Sequence, residues 1–330
     1  MAHRMEMFLQ VIAVQFLYVM TYLGVTGFLS LQCYLVFLLF PPLIPLYLIW
    51  LWFDWETPSK GGRPIQYCYL RNWRIFNFVR NYYPINLYKT SELDPERNYI
   101  FGYHPHGMIP EGALVCFGTE SAGFTELFPG IKPRVSMHFF NCFFGFREIA
   151  MAAGTISVSR ESLEYVLTQQ GTGHSVVIVI GGTTEVLNTA PSLYHLVINK
   201  RKGFVRLALE TGSSLVPVFS FGQNDLFSQP KAILSPRIER WLPKWPMIIL
   251  KYSLLAYHDH STMGITPRRV PIDVVVGPPI NVTRVPHPTD EQIDDLQTTY
   301  IAKMTELFEG HKEKYGIHRD THIVLDTKTK

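Results

Sequence analysis

Charge is absent from the start of this chain: from Met7 to Phe53, 47 consecutive residues include no Asp, Glu, Lys, Arg or His. As a helix, such a run is about twice the length needed to cross a hydrocarbon core of roughly 30 Å. It far exceeds the apolar centre of a signal peptide and no small-residue cleavage site follows it, so we expect it to be retained. Cysteine is also scarce, and Cys33, Cys68, Cys116 and Cys142 form no Cys-x-x-Cys pair. The pattern fits a reduced, cytosolic-facing domain rather than a disulfide or zinc framework. Net charge is only +3 and no basic stretch is interleaved with aromatics, which argues against a nucleic-acid partner. The chain has no low-complexity linker, no Gly-x-Ser-x-Gly elbow and no His-Glu-x-x-His helix, the signs of a multidomain array, a serine hydrolase and a zinc hydrolase.

The uncharged run reads as two segments, Met7–Leu23 and Cys33–Phe53, bent at Gly24-Val25-Thr26-Gly27 and Ser30-Leu31-Gln32. Pro41, Pro42 and Pro45 leave the second segment open to either a straight span or a kinked, re-entrant element. Arg4 precedes the run and Lys60 and Arg63 follow it, so the positive-inside rule puts both ends of a hairpin in the cytosol. Trp50, Trp52 and Trp55 mark the exit as an interfacial belt. We therefore divide the chain into a membrane hairpin, 1–53, and one cytosolic-facing domain, 54–330.

Within that domain the pattern alternates. Val176–Ile180 is a continuous β-branched run ending in Gly181-Gly182, as in a strand buried on both faces. Ser214–Phe221 and Val270–Val276 look alike, their prolines suggesting edge positions or bulges. Helices are expected at Arg160–Gln169, at Gly203–Glu210 and over a long last element. There Ile293, Leu296, Tyr300, Ile301, Met304, Leu307 and Phe308 share a face, entered through Pro288-Thr289-Asp290-Glu291. The fold class is α/β with a mostly parallel sheet.

The chemistry concentrates in His104-Pro105-His106-Gly107, a turn directly after the β-prone run Asn98–Tyr103. Imidazole titrates near neutral pH and so can accept and return the proton of an alcohol. In a parallel sheet, loops at strand carboxyl ends share one edge, so this turn should neighbour Gly181-Gly182-Thr183-Thr184-Glu185. Acyl transfer to an alcohol needs a base, oxyanion donors and a positive surface for a carrier such as coenzyme A. The histidines, the glycine turn and Lys200-Arg201-Lys202 before a helix N-terminus would supply them. Glu185 as an ordinary first-turn acid, and the basic run as a solvated face, are the plainer readings. Glu111, five residues beyond His106, is either an orienting carboxylate or a solvated loop residue. A metal hydrolase using His104, His106, His258 and His260, and a non-catalytic membrane scaffold, are the rival functions.

Together these residues resemble the membrane-bound acyl-CoA acyltransferases that include diacylglycerol acyltransferase type 2, the monoacylglycerol acyltransferases and the wax-alcohol acyltransferases. The resemblance spans nearly the whole chain. It includes Gly61-Gly62-Arg63, Leu93-Asp94-Pro95-Glu96-Arg97-Asn98-Tyr99-Ile100, Phe128-Pro129-Gly130-Ile131, Arg201-Lys202-Gly203-Phe204-Val205-Arg206 and Val275-Val276-Gly277-Pro278-Pro279-Ile280. It implies a glycerophosphate-acyltransferase-like α/β domain behind the hairpin. It also implies transfer of a fatty acyl group from acyl-CoA to a mono- or diacylglycerol hydroxyl, the alternatives being a fatty alcohol, retinol or a lysophospholipid. His106, His104 and Glu185 would be catalytic; Gly107, Gly181, Gly182, Lys200, Arg201 and Lys202 would bind substrate. Phe28, Leu29 and Leu31 match the family's Phe-Leu-x-Leu neutral-lipid signature. Acyl-CoA enters as substrate, with no other cofactor and no metal. The partners are the membrane and its neutral lipid, with a homo-oligomer left open, at the endoplasmic reticulum membrane and lipid droplets. The chain departs from the family where Tyr257-His258-Asp259-His260-Ser261 replaces a Gly-Arg-Gly turn, which bears on acceptor preference.

Overall fold

The computed structural model describes residues 2–26, 42–138, 146–227 and 267–326. Phe28, Leu29, Leu31, His258 and His260 lie outside them, as does most of the bend between the apolar segments.

Among the described residues, the core is a seven-stranded sheet in the order β1-β8-β7-β2-β5-β3-β4. Its strands are β1 (Ile85–Lys89), β2 (Tyr99–His104), β3 (Lys132–Met137), β4 (Ile156–Ser157), β5 (His174–Val179), β7 (Ser214–Phe221) and β8 (Ile272–Val276). All neighbours are parallel except β7 and β8. A short parallel pair, β6 (His195–Leu196) and β9 (Val324–Leu325), stands apart. The α/β class and the mostly parallel sheet are as the sequence led us to expect.

The helices are α1 (Ala2–Thr26), α2 (Leu43–Asp54), α3 (Ile75–Tyr82), α4 (Glu111–Gly118), α5 (Phe124–Leu127), α6 (Phe146–Ala152), α7 (Arg160–Gln169), α8 (Gly182–Asn188), α9 (Gly203–Thr211) and α10 (Asp290–His311). Two apolar cores cover the two faces of the sheet. Strand parity assigns side chains to them: Tyr99, Phe101 and Tyr103 of β2 enter the core shared with α1, α3 and α4. Ile100, on the opposite parity, enters the core shared with α7, α9 and α10. Thr289 and Gln292 close a capping box at the start of α10, and Ile293, Tyr300, Met304, Leu307 and Phe308 are its buried face.

The prolines are placed differently from an edge reading, because β7 and β8 are both interior strands. Leu215 pairs with Ile280 and Val218 with Val276, so two residues of β7 oppose three of the other segment. Pro217 sits in that bulge, its carbonyl accepting from the Gly277 N–H at 2.8 Å. A strand residue's N–H and C=O point to the same side, so the missing donor faces the bulge and costs the β2–β7 ladder nothing. Pro271 lies one residue before β8 begins.

Helix α1 packs against α3 and buries Gln10, Ala13, Val14 and Tyr18, at the spacing of one helical face. Its other face leaves Phe8, Leu9, Ile12 and Phe16 exposed, and Trp50, Trp52, Phe53 and Trp55 are exposed around the end of α2. Large apolar surfaces of this kind mark a partner or a membrane. Among the described residues, no helix is long and apolar enough to cross a membrane.

Candidate active site

Sheet order makes the two glycine-bearing loops neighbours, because β2 pairs with β5 in register from Tyr99↔Ser175 to Tyr103↔Val179. Both strands point the same way, so the histidine turn and Gly181–Glu185 leave the sheet at one carboxyl edge. The loop after β7 leaves on the other flank of β2.

His104 continues the parity of Ile100 and therefore turns towards α10. Its ring is fully buried and Nε2 lies 3.2 Å from the Tyr300 hydroxyl, which donates to the Gly102 carbonyl at 3.0 Å. A hydroxyl has one hydrogen, so Tyr300 accepts at Nε2 and His104 is the Nε2–H tautomer. Its Nδ1 is buried and has no partner among the described residues. Burial lowers its pKa from 6.5 to about 3, so the ring is neutral.

His106 is partly exposed, and its Nδ1 lies 3.1 Å from the Gly107 carbonyl. A carbonyl only accepts, so Nδ1 carries the proton and Nε2 presents a lone pair. Burial lowers its pKa from 6.5 to about 4; the bond to Gly107 opposes this, and His138 and Arg201 reinforce it. The ring is thus a neutral base at physiological pH.

Glu185 lies in the first turn of α8, but its carboxylate turns inward. Oε1 accepts from the His106 backbone N–H at 2.6 Å and Oε2 from the Val197 N–H at 3.0 Å. It ties the histidine turn to the segment that follows β6, and among the described residues it bonds no imidazole ring. Burial raises its pKa from 4.5 to about 7, against the lowering effect of both N–H bonds. Gly181 is required beside it, since a Cβ there would meet Glu185 Oε2 at 2.1 Å.

The three basic residues diverge. Arg201 reaches over the turn, its Nη2 3.4 Å from the Gly181 carbonyl, and its charge is felt at His106. Lys202 is paired with Asp294 of α10, and Lys200 is exposed. The loop itself is fixed by Asp326, which accepts from the Ile198 and Asn199 N–H groups at 2.9 and 2.8 Å. Gln297 donates to the Ile198 carbonyl at 2.9 Å.

Glu111 is not a solvated loop residue: it is fully buried, and among the described residues its carboxylate contacts no imidazole directly. Its Oε2 accepts from Gln223 Nε2 at 2.6 Å, and its Oε1 is hydrogen-bonded to the Tyr18 hydroxyl. Burial raises its pKa from 4.5 to about 8. Sequence reasoning missed the site roles of Tyr300 and Gln223, which have no local motif, although Tyr300 was legible as a core residue of α10.

Folded and unfolded chains therefore bind protons differently. His104, His106 and His174 titrate near 3, 4 and 4 in the fold instead of 6.5. The unfolded state holds more protons in that window, so their contribution to stability is lost as pH falls from 6.5. Glu185 and Glu111 titrate near 7 and 8 instead of 4.5, so theirs is lost as pH rises from 4.5 to 8. Three histidines outweigh two carboxyls on the acid side, and the carboxyls act alone above 6.5. Thermal unfolding in detergent is expected to show maximal stability at about pH 6.5 and lower midpoints at about pH 5 and 8. A midpoint rising steadily to the alkaline end would mean that both carboxyls are ionised in the fold.

A mostly parallel sheet carrying a neutral, tautomer-fixed imidazole and a nearby guanidinium at its carboxyl edge has the parts of an α/β group-transfer enzyme working by general-base chemistry. The comparisons name the family. The diacylglycerol acyltransferase profile matches residues 33–326, and the chain belongs to that family. It is 42% identical over 312 residues to 2-acylglycerol O-acyltransferase 1 of Bos taurus, covering 92% of this chain and 89% of that protein. It is 40% identical over 332 residues to diacylglycerol O-acyltransferase 2 of Danio rerio, covering 98% and 90%. Against 2-acylglycerol O-acyltransferase 3 of Homo sapiens the identity is 40% over 318 residues, covering 93% and 92%. No solved structure matches. The chain is an acyltransferase.

Proposed function

We propose that the chain transfers a fatty acyl group from acyl-CoA to the free hydroxyl of a mono- or diacylglycerol, with His106 as the base. The observation that carries this reading is the His106 tautomer: Nδ1–H is engaged by Gly107, which leaves Nε2 to take a proton. His106 Nε2 removes the hydroxyl proton, and the oxygen attacks the thioester carbonyl carbon. The tetrahedral intermediate then collapses with cleavage of the C–S bond, and the proton passes from the imidazolium to the coenzyme A thiolate. No acyl-enzyme is formed. Glu185 holds the His106 backbone, Tyr300 holds His104, and Arg201 supplies positive charge for the oxyanion or for coenzyme A phosphate. Acyl-CoA is a substrate, and no further cofactor or metal takes part.

Full-length chain in membranes, given labelled acyl-CoA, tests the acceptor. Monoacylglycerol or diacylglycerol should be esterified in preference to long-chain alcohol, retinol and lysophosphatidate. Preference for lysophosphatidate would overturn the neutral-acceptor assignment.

The exposed apolar faces of α1 and α2 support attachment to a membrane through the N-terminal segments. We take that membrane to be the endoplasmic reticulum, with both termini cytosolic from the flanking positions of Arg4, Lys60 and Arg63. Asn281-Val282-Thr283 has the acceptor pattern for N-glycosylation, and in this topology it stays unmodified. Asn281 instead accepts from Arg97 at 2.9 Å. A glycosidase-sensitive band that disappears in Asn281→Gln would overturn the topology.

A further inference from the structure

We propose that Gln223, Glu111 and Tyr18 form a positioning clasp that fixes the His104–Gly107 turn and ties it to helix α1. The inference rests on the reading of His106 as the base and adds three residues to it, none of which touches the reacting atoms.

Gln223 comes from the loop after β7, yet its whole amide serves the end of β2 and the segment that follows it. Its Oε1 accepts from the Tyr103 hydroxyl at 3.0 Å and from the Gly112 N–H at 3.2 Å. Its Nε2 donates to the Ile109 carbonyl at 2.8 Å and to Glu111 Oε2 at 2.6 Å. A primary amide has two donors and one acceptor oxygen with two lone pairs, so its capacity is filled by residues on both sides of the histidine turn. The side chain also lies flush against the turn. Gly107 has φ +65°, and a Cβ there would stand 2.9 Å from Gln223 Cγ. Glycine is thus needed at 107 for its backbone conformation and for the approach of the clasp.

Glu111 carries the connection outward. Its second oxygen bonds the Tyr18 hydroxyl, which accepts from the Tyr83 hydroxyl at 3.2 Å. Glu111 and Tyr83 are fully buried and Tyr18 nearly so. Arg269 donates to Gln10, about two helical turns before Tyr18, at 3.0 Å, so α1 is held by polar bonds along the same face. Buried polar groups left without partners are costly, so a chain in which each link satisfies the next resists partial opening. The seating of α1 and the placement of His106 thereby become one structural unit.

The test uses the full chain in membranes or detergent, with two readouts: hydrogen exchange over residues 104–112 and steady-state acyl transfer. Gln223→Ala and Glu111→Ala should each speed exchange of that segment and lower kcat by about tenfold, with the acyl-CoA KM changed by less than about twofold. Exchange of α7, on the opposite face of the sheet, should stay as it is. Glu111→Gln should restore both readouts, because its carbonyl can accept from Gln223 while its amide donates to Tyr18. Tyr18→Phe should loosen the segment alone and add nothing further in a Glu111→Ala background. Unchanged exchange in Gln223→Ala and Glu111→Ala overturns the clasp. Faster exchange with unchanged kcat overturns its role in positioning. His106→Ala, run in parallel, separates the two ideas: its retained turnover would refute the base, while the exchange data still decide the clasp.

Discussion

Replacing His106 by alanine is expected to lower acyl transfer by roughly 10²–10⁴-fold, the usual contribution of a positioned general base. The loss should fall on kcat, and the variant should still sediment with membranes, because the turn lies outside the apolar segments. His106→Gln should be nearly as impaired, since an amide can fill the space but cannot accept the proton. His104→Ala should also be severely impaired, by a different route. It removes the donor to Tyr300 and opens a void in a fully buried site, so it should cost stability as well as rate. Wild-type turnover of His106→Ala at matched expression would show that the base lies elsewhere.

Asp54→Ala is expected to produce the largest loss of stability, on the order of 3–5 kcal/mol, as when one partner of a buried ion pair is removed. Asp54 ends α2 and is nearly buried, and Arg63 binds it in a fork at 2.6 and 3.0 Å. Arg147 reaches its carboxylate at 2.7 Å and its backbone carbonyl at 2.5 Å, and Thr57 donates at 2.8 Å. Two guanidiniums from separate parts of the domain thus meet at the end of the apolar helix. Arg63 also lies over the Trp50 ring, 5.3 Å from its centroid. Removing the carboxylate leaves the buried Arg147 its bond to the backbone carbonyl of residue 54 and, among the described residues, Glu148 as its one remaining carboxylate, a partly exposed partner. Arg63 is more exposed and also reaches Glu148, so it should matter less. Asp54→Asn, which keeps one acceptor oxygen, should lie between wild type and Asp54→Ala in detergent unfolding. Equal midpoints for all three would refute the clamp.

The sequence by itself determined the class of fold, the order of its main elements and the position of the histidine turn. These are local properties. A β-branched run such as Val176–Ile180 can bury both faces only in a sheet, and the spacing of Ile293, Tyr300, Met304, Leu307 and Phe308 admits only a helix with one buried face. Even the adjacency of the histidine and glycine turns followed, because parallel strands gather their exits at one edge.

Tertiary structure alone decided the tautomers, the protonation states and the partners. Tyr300 stands 196 residues from His104, Gln223 stands 112 from Glu111, and Tyr18 stands 93 from Glu111. No periodicity links residues so far apart, and a glutamate after a turn looks the same in sequence whether solvated or enclosed. Pro217 shows the same limit: proline signals that a ladder bond is missing, while only the pairing of β7 shows that the gap faces a bulge inside the sheet. Burial sets the charge of His106, Glu185 and Glu111, and burial is a property of the packed chain, in which distant segments remove water from one another's polar groups.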